Sequence, residues 1–277
     1  MMNGHNNICA GEETAVPSMA KRGTAALIVV TSLMPWPLVG PHRWWAFALA
    51  TAAILVAVRL VLGRRWRSLA GLELSLAQVL LTVAAFALVA AGAFMLLRHV
   101  YATAGLRVTA PGIKDQAGFL FQALNEEILF RGLLVSLVIK LVRLTSVVSV
   151  ILISLGLALV FPAAHFVLYR YSNPMHLALS LAALGTLFCA GVAMNNLYLA
   201  FRHIGFSWAL HAGWNVVWLP ATFYDAATNR LLYEPQIFER VLATPAVVAA
   251  ASTIAVLSVA LVAWRFTSAM IPVKNNQ

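Results

Sequence analysis

Acidic side chains are scarce in this sequence. Nine of its 277 residues are Asp or Glu, against nineteen Lys or Arg, and charged residues make up 10% of the chain. An ordinary soluble domain carries roughly 25% charged residues, so a soluble globular enzyme is excluded. A hydrophobic content of 62% and a mean hydropathy of +0.86 exclude a disordered chain as well. Cysteine is nearly absent. Cys9 stands in the polar N-terminal stretch and Cys189 in an apolar run, which leaves no disulfide framework and no thiolate metal site. There is no GxSxG, no HExxH, no reactive-cysteine arrangement, no internal repeat and no low-complexity tract.

What is present is a series of apolar runs, several of them longer than the ~18–20 residues that cross a bilayer as helix. The fold class expected is all-α, a polytopic transmembrane bundle of about eight spans. These fall near 24–40, 44–62, 74–97, 116–139, 144–169, 177–200, 203–222 and 244–264. The chain divides into a polar tail (1–23), N-terminal transmembrane helices (24–115), a core (116–222), and a loop, final helix and short tail (223–277). The loop 223–243 is expected at the membrane interface. The net charge of +10 does not indicate nucleic acid, because Lys and Arg cluster at the ends of apolar runs, as topology signals and head-group anchors. Eight spans put both termini on one face, and the basic residues, counted by face, favour that face as cytoplasmic. Composition points to a bacterial inner membrane.

Two acids sit side by side within an apolar run: Glu126 and Glu127. Charge at that depth costs a few kcal/mol or more. At ~100° per residue, Arg131 lies about 40° from Glu127 and about 140° from Glu126. Glu127 and Arg131 are therefore an i,i+4 pair. Glu126 has no partner on its own helix, so it is protonated or another span supplies one. The plainer reading of Glu127 with Arg131 is an ion pair that locks the bundle. Further on, Phe161 and His165 are one turn apart, with Pro162 kinking the helix between them. His211 and Asn215 share a face at mid-depth of the seventh span; the plainer reading of that pair is an interhelical hydrogen bond. Asn195 and Asn196 either line a cavity or pair with their neighbours, the second being the plainer reading. Together, a carboxylate, two imidazoles and a carboxamide supply a general base for water and donors for an oxyanion.

Glu126-Glu127-Ile-Leu-Phe-Arg131, Phe161-Pro-Ala-Ala-His165 and His211-Ala-Gly-Trp-Asn215 follow, in order and on three spans, the EExxxR, FxxxH and HxxxN pattern. Over about residues 116–220 the chain resembles the CPBP family of CAAX-processing and bacteriocin-processing intramembrane proteases, which includes the type II CAAX prenyl endopeptidases. The resemblance implies an intramembrane glutamic endopeptidase acting on a membrane-anchored peptide or protein. It implies that Glu126 activates water with His165, and that His211 and Asn215 form the oxyanion hole. Glu127, Arg131 and Phe161 would support the site. No cofactor is expected; zinc held by Glu126, His165 and His211 is the less favoured alternative. A non-catalytic immunity or binding protein, or a proton-coupled carrier, is the alternative function, although a carrier would more often show inverted repeats.

Overall fold

An apolar run in lipid can satisfy its backbone only through its own chain, and helix results. The computed structural model describes residues 44–103, 105–109, 113–142, 146–172, 179–218, 222–232 and 234–270. The tail 1–23 and the first expected span, 24–40, lie outside them. Helix α1 (Trp44–Leu62) leads through a 3-10 turn into the short α2 (Trp66–Leu69). Gly71, at φ +66°, then turns the chain into α3 (Leu76–Thr103). Strand β1 (Leu106–Thr109) precedes α4 (Ile113–Glu127), a π-helical segment (Ile128–Val135) and α5 (Ser136–Leu141). Helices α6 (Val147–Ala158), α7 (Val160–Ser172), α8 (Leu181–Phe201) and α9 (Gly205–Trp218) follow. Strand β2 (Thr222–Asp225), α10 (Glu234–Leu242) and α11 (Pro245–Met270) complete the described chain.

The architecture is an all-α membrane bundle with one small β-ribbon. Four stretches among the described residues are long and apolar enough to cross a membrane: Leu76–Thr103, Val147–Val167, Leu181–Phe201 and Pro245–Ser268. Of the expected span 203–222, the described helix covers Gly205–Trp218. That helix, α9, has 14 residues, about 21 Å at 1.5 Å per residue, against ~30 Å of hydrocarbon. It packs inside the bundle, with Ser207, Ala209, His211, Ala212 and Asn215 all buried.

Helix α8 is the central element. It packs on α11, α9, α6 and α7. Its most apolar window is 56% buried, against 11% for the lipid-facing α3. Helix α9 packs on α3 and α4, and α1 packs on α4. Small residues permit these approaches. A Cβ on Gly213 would lie 2.8 Å from Val89 Cγ1 and 3.1 Å from the Phe86 carbonyl oxygen, so glycine lets α9 lie against α3. The stretch 223–243, expected as an interfacial loop, is largely ordered. Strand β2 pairs antiparallel with β1, Leu106 opposite Asp225 and Thr109 opposite Thr222. Helix α10 buries Ile237, Val241 and Leu242. It is pinned to the start of α8: Glu239 Oε2 accepts from the Ser180 backbone N–H at 2.7 Å, and Thr186 donates to the Leu242 carbonyl at 2.8 Å.

Candidate active site

The acidic pair lies at the switch from α-helix to π-helix. Glu127 is the last residue of α4, and the wider winding runs from Ile128 to Val135. Such segments are rare and concentrate at functional sites. Thr51 on α1 donates to Asn125 Oδ1 at 2.5 Å, holding the helix in register just before the pair. Both glutamates are sealed off, Glu126 at 2% and Glu127 at 0% exposure, and Arg131 at 1%. Arg131 donates from a terminal guanidinium nitrogen to Glu127 Oε1 at 3.0 Å, the i,i+4 contact the spacing predicts.

Helix α9 supplies the group that joins the two acids. His211 Nδ1 is 2.9 Å from Glu127 Oε1, and Nε2 is 3.6 Å from Glu126 Oε2. A carboxylate only accepts, so Nδ1 carries the proton toward Glu127. Glu126 also has a neighbour on its own helix, contrary to the helical-wheel reading: Gln122 donates to its Oε1 at 3.4 Å. That bond is long, and among the described residues no hydrogen-bond donor reaches Glu126 Oε2 or Glu127 Oε2.

The Phe161–His165 turn reaches the site through a broken helix. Pro162 lacks an N–H, so the Ala158 carbonyl four residues back gains no helical bond. Helix α6 ends at Ala158 and α7 begins at Val160. Gly191 of α8 lies against the break: a Cβ there would stand 3.0 Å from the Ala158 carbonyl oxygen and 3.3 Å from Phe161 Cβ. Phe161 is thereby set at the centre. Its ring centroid is 4.5 Å from that of His165 and 5.8 Å from that of His211. The Arg131 guanidinium carbon lies 5.3 Å from the same centroid, within cation–π range. His165 is half-buried, its Nδ1 at 2.9 Å from the Phe161 carbonyl oxygen.

Glu126, Glu127, Arg131, Phe161 and His211 are thus brought together, and His165 joins them through the Phe161 ring. Asn215 is buried one turn beyond His211 and forms no hydrogen bond to either carboxylate among the described residues. Among those residues no three His, Cys, Asp or Glu side chains are gathered as a shared metal ion would require. A site residue that spacing alone does not single out is Asn195 on α8, whose Oδ1 accepts from Arg131 Nε at 3.1 Å.

The segment that carries this geometry, residues 116–217, matches the family model described as type II CAAX prenyl endopeptidase, Rce1-like. Over these residues the chain is similar to the Rce1-like family. No curated protein and no solved structure matches the chain. The matched segment begins in α4 and ends in α9, so it takes in every residue of the EExxxR, FxxxH and HxxxN motifs. The Rce1-like family is a peptidase family, and the chain that carries its domain is an integral membrane protein.

Proposed function

We propose that the protein is an intramembrane endopeptidase that hydrolyses a peptide bond in a membrane-anchored peptide or protein, with Glu126 as the base. The observation that carries this reading is the His211 bridge between two buried carboxylates inside an Rce1-like segment. An ion pair built only for stability needs one acid, and Glu127 already has Arg131.

Each residue then has a role in balanced chemistry. Glu126 takes a proton from water, and the hydroxide forms a bond to the scissile carbonyl carbon. His165, whose ring packs on Phe161, orients that water. The oxyanion receives hydrogen bonds from His211 Nε2 and the Asn215 carboxamide. Glu127 fixes the His211 ring through Nδ1, as the buried carboxylate of a catalytic triad orients its imidazole. The proton held by Glu126 passes to the leaving amine as the carbon–nitrogen bond breaks. The net reaction is water plus amide to acid plus amine, with no covalent intermediate and no metal.

The test uses Glu126→Gln, which keeps the side-chain volume and removes the base. Purified wild type and variant are placed in proteoliposomes with two quenched fluorescent peptides, one ending in a farnesyl-cysteine CAAX tail and one in an apolar helix. Wild type cleaves at least one of them in the presence of a strong chelator, and Glu126→Gln cleaves neither. Cleavage by Glu126→Gln at the wild-type rate overturns the assignment. Loss of wild-type activity with the chelator, restored by added zinc, replaces it with a metal site.

A further inference from the structure

The Arg131 guanidinium is fully buried, and a buried cation needs acceptors for more than one of its N–H groups. Glu127 meets one. Asn195, from the middle of α8, meets another: Oδ1 accepts from Nε at 3.1 Å. The orientation of this carboxamide follows from its partners. Arg131 can only donate and the Ser154 carbonyl can only accept, so Oδ1 must face Arg131 and Nδ2 must face Ser154, which it reaches at 3.0 Å. The next residue makes a parallel set of bonds directed away from the acids. Asn196 Oδ1 accepts from Ser154 Oγ at 2.7 Å, and its Nδ2 donates to Ser258 Oγ at 3.0 Å. Two adjacent asparagines thus link α8 to its neighbours, and one of the two reaches a residue of the acidic motif.

We infer that Asn195 is a positioning residue for hydrolysis: by holding Arg131 Nε it fixes Glu127, and through Glu127 the His211 ring that faces Glu126. The inference rests on the proposed function. The chain of contacts runs from Asn195 Oδ1 to Arg131 at 3.1 Å, from Arg131 to Glu127 Oε1 at 3.0 Å, and from that same oxygen to His211 Nδ1 at 2.9 Å. Arg131 and His211 therefore share one carboxylate oxygen. If Arg131 rotates, that oxygen is redistributed between the two and the imidazole is no longer held in one orientation. Misplacement of a catalytic group by ~1 Å through a mutation outside the chemistry costs up to about 10²-fold in rate.

Three variants separate positioning from a structural link. Asn195→Leu removes acceptor and donor. Asn195→Asp keeps an oxygen for Arg131 Nε and loses the donor to Ser154. Asn196→Leu breaks the neighbouring links alone. All are assayed in proteoliposomes on the two quenched peptides above, per folded enzyme. Asn195→Leu lowers kcat by about 10- to 100-fold with KM within about twofold, and Asn195→Asp recovers most of that loss. Asn196→Leu lowers the melting temperature and leaves kcat near wild type. Equal kcat losses in Asn195→Leu and Asn195→Asp, or in Asn195→Leu and Asn196→Leu, overturn the inference, because the Ser154 link would then be what matters. So does wild-type kcat in Asn195→Leu while Glu126→Gln is inactive; activity in Glu126→Gln would instead overturn the proposed function. A readout without turnover is the arginine Nε–H signal. Arg131 is the buried arginine among the described residues, so its signal is the slowly exchanging one. It stays protected in wild type and Asn195→Asp and exchanges quickly in Asn195→Leu; protection retained in Asn195→Leu overturns the inference even if neither peptide is cleaved.

Discussion

Glu126 and Glu127 are adjacent and equally buried, yet they are opposite in what their removal does. Glu127 accepts from Arg131 and from His211 through one oxygen, so it neutralises a cation that has no access to water. Glu127→Ala leaves that cation buried without its carboxylate, at a cost of about 3–5 kcal/mol. It should lower thermal stability in detergent strongly, whereas Glu126→Gln should melt near wild type; the reverse order would exchange the two roles. Asn215, buried and without a hydrogen bond to either carboxylate among the described residues, is assigned to the oxyanion. Asn215→Ala should lower kcat by about 10²–10³-fold with little change in melting temperature, and an unchanged kcat would make it a packing residue. The Glu127–Arg131 pair is legible in the sequence because one turn of helix brings it about. Gln122, four residues before Glu126, is legible by the same spacing, whereas the His211 bridge and the Asn195 acceptor are not. Each of these two is set by which face of α9 or α8 meets the acidic helix, and periodicity does not carry that.

At the scale of elements, two departures from regular helix set the site. The π-helical segment starts one residue after Glu127, and the proline break between α6 and α7 seats Phe161 against it. Pro162 announces the second in the sequence. The first has no such marker, because Ile-Leu-Phe-Arg-Gly-Leu-Leu-Val is compatible with ordinary helix and only tertiary packing widens it. Close approach at Gly191 keeps the break pressed on α8. Gly191→Ala places a methyl 3.0 Å from the Ala158 carbonyl, an overpacking that costs about 1–3 kcal/mol. It should also lower kcat, since Phe161 must shift with α7. Gly185→Ala, on the same helix, meets nothing within 4 Å and should gain up to about 1 kcal/mol from helix propensity. Thermal melts of the two variants with a kcat measurement decide it; equal effects would show that Gly191 has no packing role. Span boundaries were legible to a few residues where helices are long and apolar.

At the scale of the molecule, the bundle has two unlike ends. One carries the β-ribbon and α10, joined by an Asp225–Arg240 ion pair at 2.8 Å. The Arg240 hydrogen bond, with two from Thr228, lowers the Asp225 carboxyl from an ordinary 3.8 to about 2. A depressed carboxyl favours the folded cap above pH 3.8, and that contribution fades as the pH falls through about 2. Hydrogen exchange in 222–225, corrected for intrinsic rate, should therefore be constant from pH 7 to 5 and rise between pH 4 and 2, with Asp225→Asn matching the acid state at pH 7. A flat profile would show that the pair does not hold the ribbon. The other end carries Arg64, Arg65, Arg67, Arg202 and Arg265, all exposed, with Arg67 over the Trp66 ring and Arg265 over the Trp264 ring. Helix α3 separates these ends by about 42 Å at 1.5 Å per residue over its 28 residues. The positive-inside rule predicts that this end, with five arginines in short connections and at helix ends, faces the cytoplasm. In a variant with Cys9 and Cys189 replaced by serine, Arg230→Cys should then react with an impermeant maleimide on intact cells. Ser68→Cys should react only after the membrane is opened. The opposite pattern would place the arginine end outside and the ribbon, with α10, in the cytoplasm.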